Sequence, residues 1–350
     1  MSLSRRSLLS AMVYGGYSLY GLSLCRAESP EIRATHILQA KPAPGRREPP
    51  VVTCLAAAPD SELIAVGGDD HLLRIWNSRT GEIVHALSGH RDWIRAVQFL
   101  PPGDQVITAG NDRRVLRWTI SDGGAIHQEL ARHAQAIASV SLDGQGQRLA
   151  AVGFESRLAL YKLESLDAST DSITHIDCPC RDMRAAVFSP GDDVLASAGR
   201  NGKIRLWAVD DLQHVRDIDA HRRRIRALTW SPDGRHLASA SEDRTTRIWN
   251  VTTGKLKTTL STGTAKILCA TWLDDQHLAT GGTDNLIRVW DVASGDEVST
   301  LVGHTGSVAT LVSENGMLIS GSYDTTVRIW HPLRANTRAD RRFESGDTLK

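Results

Sequence analysis

The sequence predicts an all-β fold, a seven-bladed propeller of four-stranded antiparallel blades, closed by an N-terminal strand pairing with the last blade. Three observations carry this prediction: one aromatic-ended motif recurs seven times, a turn residue stands at a fixed distance before each aromatic, and short strands alternate with turn chemistry throughout. LLRIW ends at Trp76, VLRW at Trp118, LALY at Tyr161, KIRLW at Trp207, TTRIW at Trp249, LIRVW at Trp290 and TVRIW at Trp330, in steps of 42, 43, 46, 42, 41 and 40 residues. A period of this size marks repeated supersecondary units. Six residues before each aromatic stands Asp70, Asp112, Glu155, Asn201, Asp243, Asp284 or Asp324, a short or acidic polar group suited to a tight turn.

Each unit reads as four strands. In residues 225–261, IRALTW alternates, SPDG turns, HLASAS runs on, EDRT turns, TRIWNV follows, TTG turns and KLKTTL closes the unit. No helical window of useful length stands between residues 32 and 331, which argues against a parallel βαβ arrangement. A lone sheet of this size cannot cover its own apolar faces, so neighbouring copies must stack, and stacking around an axis gives a propeller. The seventh unit lacks an outer strand, because Pro332 follows the last motif. IRATHIL, residues 32–38, supplies a spare strand at the other end of the chain, and its pairing near Trp330 would remove an open edge.

The chain therefore divides into a signal peptide over 1–27, a linker over 28–31, the propeller over 32–331 and a polar tail over 332–350. Arg5 and Arg6 precede an uncharged run from Leu8 to Leu24 and a small-residue exit at Cys25 to Ala27, the order of an export signal. SRRSLL resembles a twin-arginine address. The expected location is therefore periplasmic or otherwise extracytoplasmic, with an uncleaved N-terminal membrane anchor as the alternative and no stable membrane insertion once the signal is removed. With 350 residues, 41% apolar and 23% charged, the chain is long enough to bury about three quarters of its unfolded surface. A formal net charge of +1 provides no global field for nucleic acid or an anionic membrane.

Ser241, with His221 and Asp243, has the residue types of a hydrolase triad. Recurrence decides against that reading, because the same set reappears in another unit at a sheet-internal position, where a nucleophile would have no pocket. The chain resembles the WD-repeat (WD40) propellers, of the bacterial exported type, on the spacing above together with GH at 89–90 and 303–304 and SPDG at 231–234. Only Trp290 is followed by aspartate, at 291, and the third unit departs most, with Tyr161 and Glu155. The resemblance implies a hydrogen-bonded bracket of Asp, His, Ser or Thr, and Trp inside a blade. On this reading it is complete at His221, Ser241, Asp243, Trp249 and at His304, Ser322, Asp324, Trp330. It is partial where Gly68, Gly110, Gly153, Gly199 or Gly282 takes the serine place.

The cysteines carry little chemistry. Cys54 and Cys269 occupy small core places, and Cys178 and Cys180, in CPC, lack nearby partner ligands for a metal. No cofactor, metal or catalytic residue is expected. The resemblance also implies partner contacts on the face bearing the incoming loops, at three sets of positions. The first maps to Val51, Trp93, Ala136, Met183, Arg224, Lys266 and Ser307. The second maps to Thr53, Arg95, Ala138, Ala185, Arg226, Leu268 and Ala309, and the third to Asp69, Asn111, Phe154, Arg200, Glu242, Thr283 and Tyr323. Within these, Trp93, Arg95, Phe154, Arg200, Arg224, Arg226, Lys266 and Tyr323 form the expected partner-binding set, a mixture enriched at binding hot spots. The expected function is a monomeric, non-enzymatic scaffold for an acidic peptide or protein segment. The alternatives are a propeller enzyme acting in the central channel and, on the strength of HRRRIR at 221–226 alone, a nucleic-acid binder.

Overall fold

The computed structural model describes residues 29–43, 45–121, 124–163, 173–178, 180 and 182–333, so the expected signal segment 1–27 and the tail beyond 333 lie outside the described residues. Seven antiparallel sheets follow one another in chain order. Blade 1 runs from the inner strand Val52–Ala57 through Leu63–Gly68 and Leu72–Asn77 to the outer strand Ile83–Ser88. The inner strands of blades 2 to 7 are Ile94–Leu100, Ile137–Leu142, Met183–Phe188, Ile225–Trp230, Ile267–Trp272 and Val308–Glu314. Second strands are buried nearly end to end, as Leu237 to Ser241 shows, whereas outer strands such as Leu256–Ser261 alternate and face water on one side.

The blades cohere through seven apolar clusters, one at each junction. Leu73, Ile75, Phe99 and Trp118 pack between blades 1 and 2, and Leu55, Val66, Ile319 and Ile329 between blades 7 and 1, so the ring closes on itself. Two indoles also stitch neighbours, Trp230 Nε1–H donating to the Val187 carbonyl at 3.2 Å and Trp272 Nε1–H to that of Thr229 at 3.1 Å. At the turn before the third strand, in every blade but the third, the polar side chain caps the backbone N–H two residues on, as Asp324 Oδ1 does for Thr326 at 3.0 Å. In those six blades the residue between them takes a left-handed φ, which only Gly202 in blade 4 meets without a side chain, at +72°.

The expected closing strand is present and is split. His36–Gln39 pairs antiparallel with Thr326–Trp330, His36 opposite Ile329 and Gln39 opposite Thr326, and becomes the missing outer strand of blade 7. Just before it, Glu31–Ile32 pairs in parallel with the outer strand of blade 6, Glu31 opposite Thr300 and Ile32 opposite Leu301. Ser29 adds a bond to Glu297 at 3.0 Å. One strap thus spans two blades.

Candidate functional site

Two polar constellations recur around the ring, one inside the blades and one at a mouth of the channel. Inside blade 5, Trp249 Nε1–H donates to Ser239 Oγ at 2.9 Å, the Ser239 hydroxyl meets His221 Nε2 at 2.8 Å, and His221 Nδ1–H donates to Asp243 at 2.9 Å. The carboxylate's need for a donor sets the imidazole tautomer, and Nε2 then accepts from the hydroxyl. Blade 7 repeats this through Trp330, Ser320, His304 and Asp324, and blade 2 through Trp118, Thr108, His90 and Asp112. The expectation that Ser241 and Ser322 are the bracket hydroxyls is therefore corrected by two residues. Ser241 is fully buried and bonds the Arg224 carbonyl at 3.0 Å and the Asp243 amide at 3.1 Å, while Ser322 does the same with Gly306 and Asp324. Neither touches the histidine, and a hydrolase nucleophile is excluded at Ser241.

The bracket hydroxyl stands ten residues before each indole. This spacing places Ser197 beneath Trp207 and Thr280 beneath Trp290, bonded at 3.0 and 2.8 Å, so the indole is satisfied in blades that lack the histidine. Blade 2, expected to be partial because of Gly110, is complete through Thr108. Blade 3 has Ala151 at this place, and the longer phenol of Tyr161 reaches His133 directly. In blade 1 the place belongs to Val66, and the buried Trp76 Nε1 has no hydrogen-bond partner among the described residues. Burial pushes the Asp243 and Asp324 carboxyls up. The hydrogen bonds from His221 and Thr245, and from His304 and Thr326, outweigh it and hold both well below the usual carboxylate range.

A third-strand arginine completes this network in two ways. In blades 2 and 5 the histidine satisfies the aspartate, and Arg114 and Arg247 instead donate to the carbonyls just before it, Gly89 and Ala220, both at 2.5 Å. Blade 1 has no such histidine. Arg74 there grips Asp70 with two bonds at 3.1 and 2.6 Å, both side chains buried, and Arg288 takes Asp284 at 2.7 Å in blade 6.

The second constellation comes from seven β-bulges. Every inner strand slips register once, just after its first residue, leaving Thr53, Arg95, Ala138, Arg184, Arg226, Leu268 and Ala309 unpaired. A bulge re-aims its side chain, and all seven line one channel mouth enclosing about 300 Å³. Phe154 and Tyr323, each 41% exposed, stand over the same mouth. Arg95 lies with its guanidinium carbon 4.7 Å over Trp93, its Nε–H donating to Asn111 at 3.0 Å. Arg224 sits at the rim between Asp182, at 2.7 Å, and Glu242, at 3.2 Å, and Arg226 is 3.7 Å from Glu242. Arg200 and Lys266 are exposed on the rim, outside the lining.

In blade 4 the expected positions Met183 and Ala185 are corrected to Asp182 and Arg184. Met183 and Ala185 are buried, because without a loop histidine the count along this blade slips by one residue. Arg184, missed by that count, lies 4.2 Å over the Phe154 ring and 2.6 Å from Asp182. A bulge expected one place after the strand's first residue would have found it. Burial disfavours the thiolate at the channel cysteines, pushing Cys54 up to about 12 and raising Cys269 as well, and their sulfurs face strand carbonyls. Cys178, in CPC, is pushed up to about 11 by burial.

The family model described as "WD domain, G-beta repeat" matches residues 44–77, 81–119, 160–208 and 295–331, and the "Anaphase-promoting complex subunit 4 WD40 domain" model matches residues 185–275. The chain belongs to the WD40-repeat family. WD40 propellers are typically protein-interaction scaffolds and are generally non-catalytic. Among curated relatives, the chain is similar to the "Probable serine/threonine-protein kinase PkwA" of Thermomonospora curvata, 40% identical over 42 residues, which is 12% of this chain and 6% of that protein. It is also similar to the "Nuclear distribution protein PAC1" of Coccidioides posadasii and of Tuber melanosporum. Each is 39% identical over 59 residues, 17% of this chain and 11% or 12% of theirs. The matches thus span a small part of each relative.

Proposed function

We propose that this WD40 propeller is a non-enzymatic interaction platform, exported and monomeric, whose arginine-lined channel mouth and rim take an acidic protein segment. One observation carries the reading: Arg95, Arg184, Arg224 and Arg226 gather at one mouth, with Asp182 and Glu242 their only carboxylate partners among the described residues, beside the exposed rings of Phe154 and Tyr323. Cations beside exposed aromatics at the edge of a concave site match acidic segments in charge and supply stacking area. HRRRIR does not act as one patch, since Arg222 and Arg223 project from the loop while Arg224 and Arg226 turn to the mouth. This division favours a protein segment over a nucleic-acid backbone.

The test is capture of partners from the native source by the wild-type chain and by a variant carrying Arg95→Glu and Arg226→Glu. Arg224 is left intact, because it bridges both Asp182 and Glu242 and its presence keeps Glu242 partnered when Arg226 is reversed. The double reversal is expected to lose the partners recovered by wild type while keeping its melting temperature. Recovery of the same set by both would reject this face.

A further inference from the structure

We propose that the opposite mouth of the channel is a docking cup for a segment of this chain itself, residues 334–350, with Phe343 seated in the cup and Arg341 and Arg342 on its rim. The proposal is independent of the reading of the arginine-lined mouth.

The cup is the first argument. At the end of the channel away from the bulges, Leu55, Val97, Phe99, Leu142, Leu311 and Val312, from the inner strands of blades 1, 2, 3 and 7, line a cavity of about 380 Å³. Leu142, Leu311 and Val312 are half-buried, and Pro59 and Pro101 at the lip are exposed. Part of this apolar lining is therefore left to water, and an aromatic ring set against it removes apolar area worth about 25 cal/mol per Å².

Charge selects the occupant. The turns that end these four inner strands, residues 58–62, 101–104, 143–147 and 315–316, contain no lysine or arginine. Asp60, Asp104 and Asp143 in these turns, Glu314 beside the last of them, and Asp192, whose carboxylate accepts the Gly144 N–H at 2.7 Å, form no ion pair among the described residues. Glu314 registers the crowding: burial raises its pKa and the neighbouring Asp60 raises it again. A segment bearing arginine is drawn to this mouth and repelled by the other, where Arg95, Arg184, Arg224 and Arg226 gather. Residues 334–343 carry four arginines against one aspartate and end on Phe343.

Topology delivers that segment to the cup. Trp330 pairs with Leu318, and Leu318 with Ser313, which adjoins Val312 in the lining. The chain thus leaves blade 7 two strand spacings, about 10 Å, from the cup. Phe343 is ten residues beyond Leu333, a reach of at most about 33 Å. A short tether also holds its ligand at an effective concentration of about 1 mM, enough for one ring and two charge pairs that would associate weakly between separate molecules.

Photo-cross-linking of the full-length chain tests this, with Phe343→p-benzoylphenylalanine as the probe and mass spectrometry of the digest as the readout. Cross-links within one chain to the lining at Leu55, Val97, Phe99, Leu142, Leu311 or Val312 are expected. Asp60→Lys together with Glu314→Lys is expected to lower their yield about threefold, the scale of two exposed charge pairs, and salt at about 1 M to lower it similarly with the rim intact. Melting temperatures equal to wild type show that the variants fold. Arg95→Glu with Arg226→Glu, at the far mouth, leaves the yield unchanged, so partner capture by that variant reports on the other mouth alone. Absence of cross-links to the lining overturns the cup. Cross-links that join two chains through the lining overturn the tethered segment and assign the cup to a second copy. A yield unmoved by both the reversal and salt overturns the acidic rim as the selecting feature.

Discussion

Ser239 and Ser241 stand two apart on one strand and so point to the same face, yet they hold different things. Ser239 joins the Trp249 indole to His221, so Ser239→Ala would orphan a buried donor and a buried acceptor together, at about 1 to 3 kcal/mol. Ser241 bonds backbone groups at the turn, and Ser241→Ala should cost less, about 1 kcal/mol. Urea unfolding of the two variants checks the order, and a larger loss at Ser241 would contradict the register described above. The same logic runs in reverse at Trp76, whose buried indole has Val66 where every other blade that ends in tryptophan places a hydroxyl. Val66→Thr supplies that acceptor and is expected to raise unfolding free energy by about 1 kcal/mol, although threonine at an apolar site usually destabilises. A lower stability would show that the orphaned indole is not the limiting defect. The residue types of the bracket were legible in the sequence, and its hydroxyl was not. SAS at 239–241 and SGS at 320–322 each offer two serines on one face, and only the pairing of Leu237 with Trp249 separates them. The ten-residue interval from hydroxyl to indole was the unused signal.

Among the elements, the strap at the N-terminus carries the most exposed consequence. It supplies the outer strand of blade 7 through four opposed pairs, buries Leu38, and clips Glu31–Ile32 to blade 6. Deleting residues 28–40 removes these ladder bonds and the cover over Val327 and Ile329, a loss of about 5 kcal/mol that lowers the melting temperature on the order of 10 °C. Thermal unfolding followed by circular dichroism checks this, and an unchanged midpoint would contradict closure by the strap. The antiparallel half of the strap was readable from IRATHIL and from the absent seventh outer strand. The parallel half was not, because two residues carry no alternation and parallel pairing leaves no turn signal. The bulges were equally silent, since an extra residue changes no composition; Arg95 and Arg226 were still reached by counting from His90 and His221, whereas blade 4 has no such histidine and Arg184 escaped.

At the scale of the whole molecule, the stacking of the blades and the recognition chemistry use different residues. Seven apolar junctions and the buried brackets hold the ring, whereas the bulged residues of the inner strands face the open mouth and contribute little to packing. The period, the turn residues and the aromatic positions made the ring legible, because a repeated unit must bury the same face in every copy. The mouth was only half legible, since its character depends on which side chains converge across blades far apart in sequence. This separation of stability from recognition is the central claim, and it is tested most directly by measuring partner capture per folded molecule for Ser239→Ala beside the Arg95→Glu, Arg226→Glu variant. The account predicts that Ser239→Ala unfolds more easily and captures as wild type does, while the double reversal melts as wild type does and captures nothing. Loss of capture in Ser239→Ala at a temperature where it is folded, together with unaltered capture by the double reversal, would contradict it.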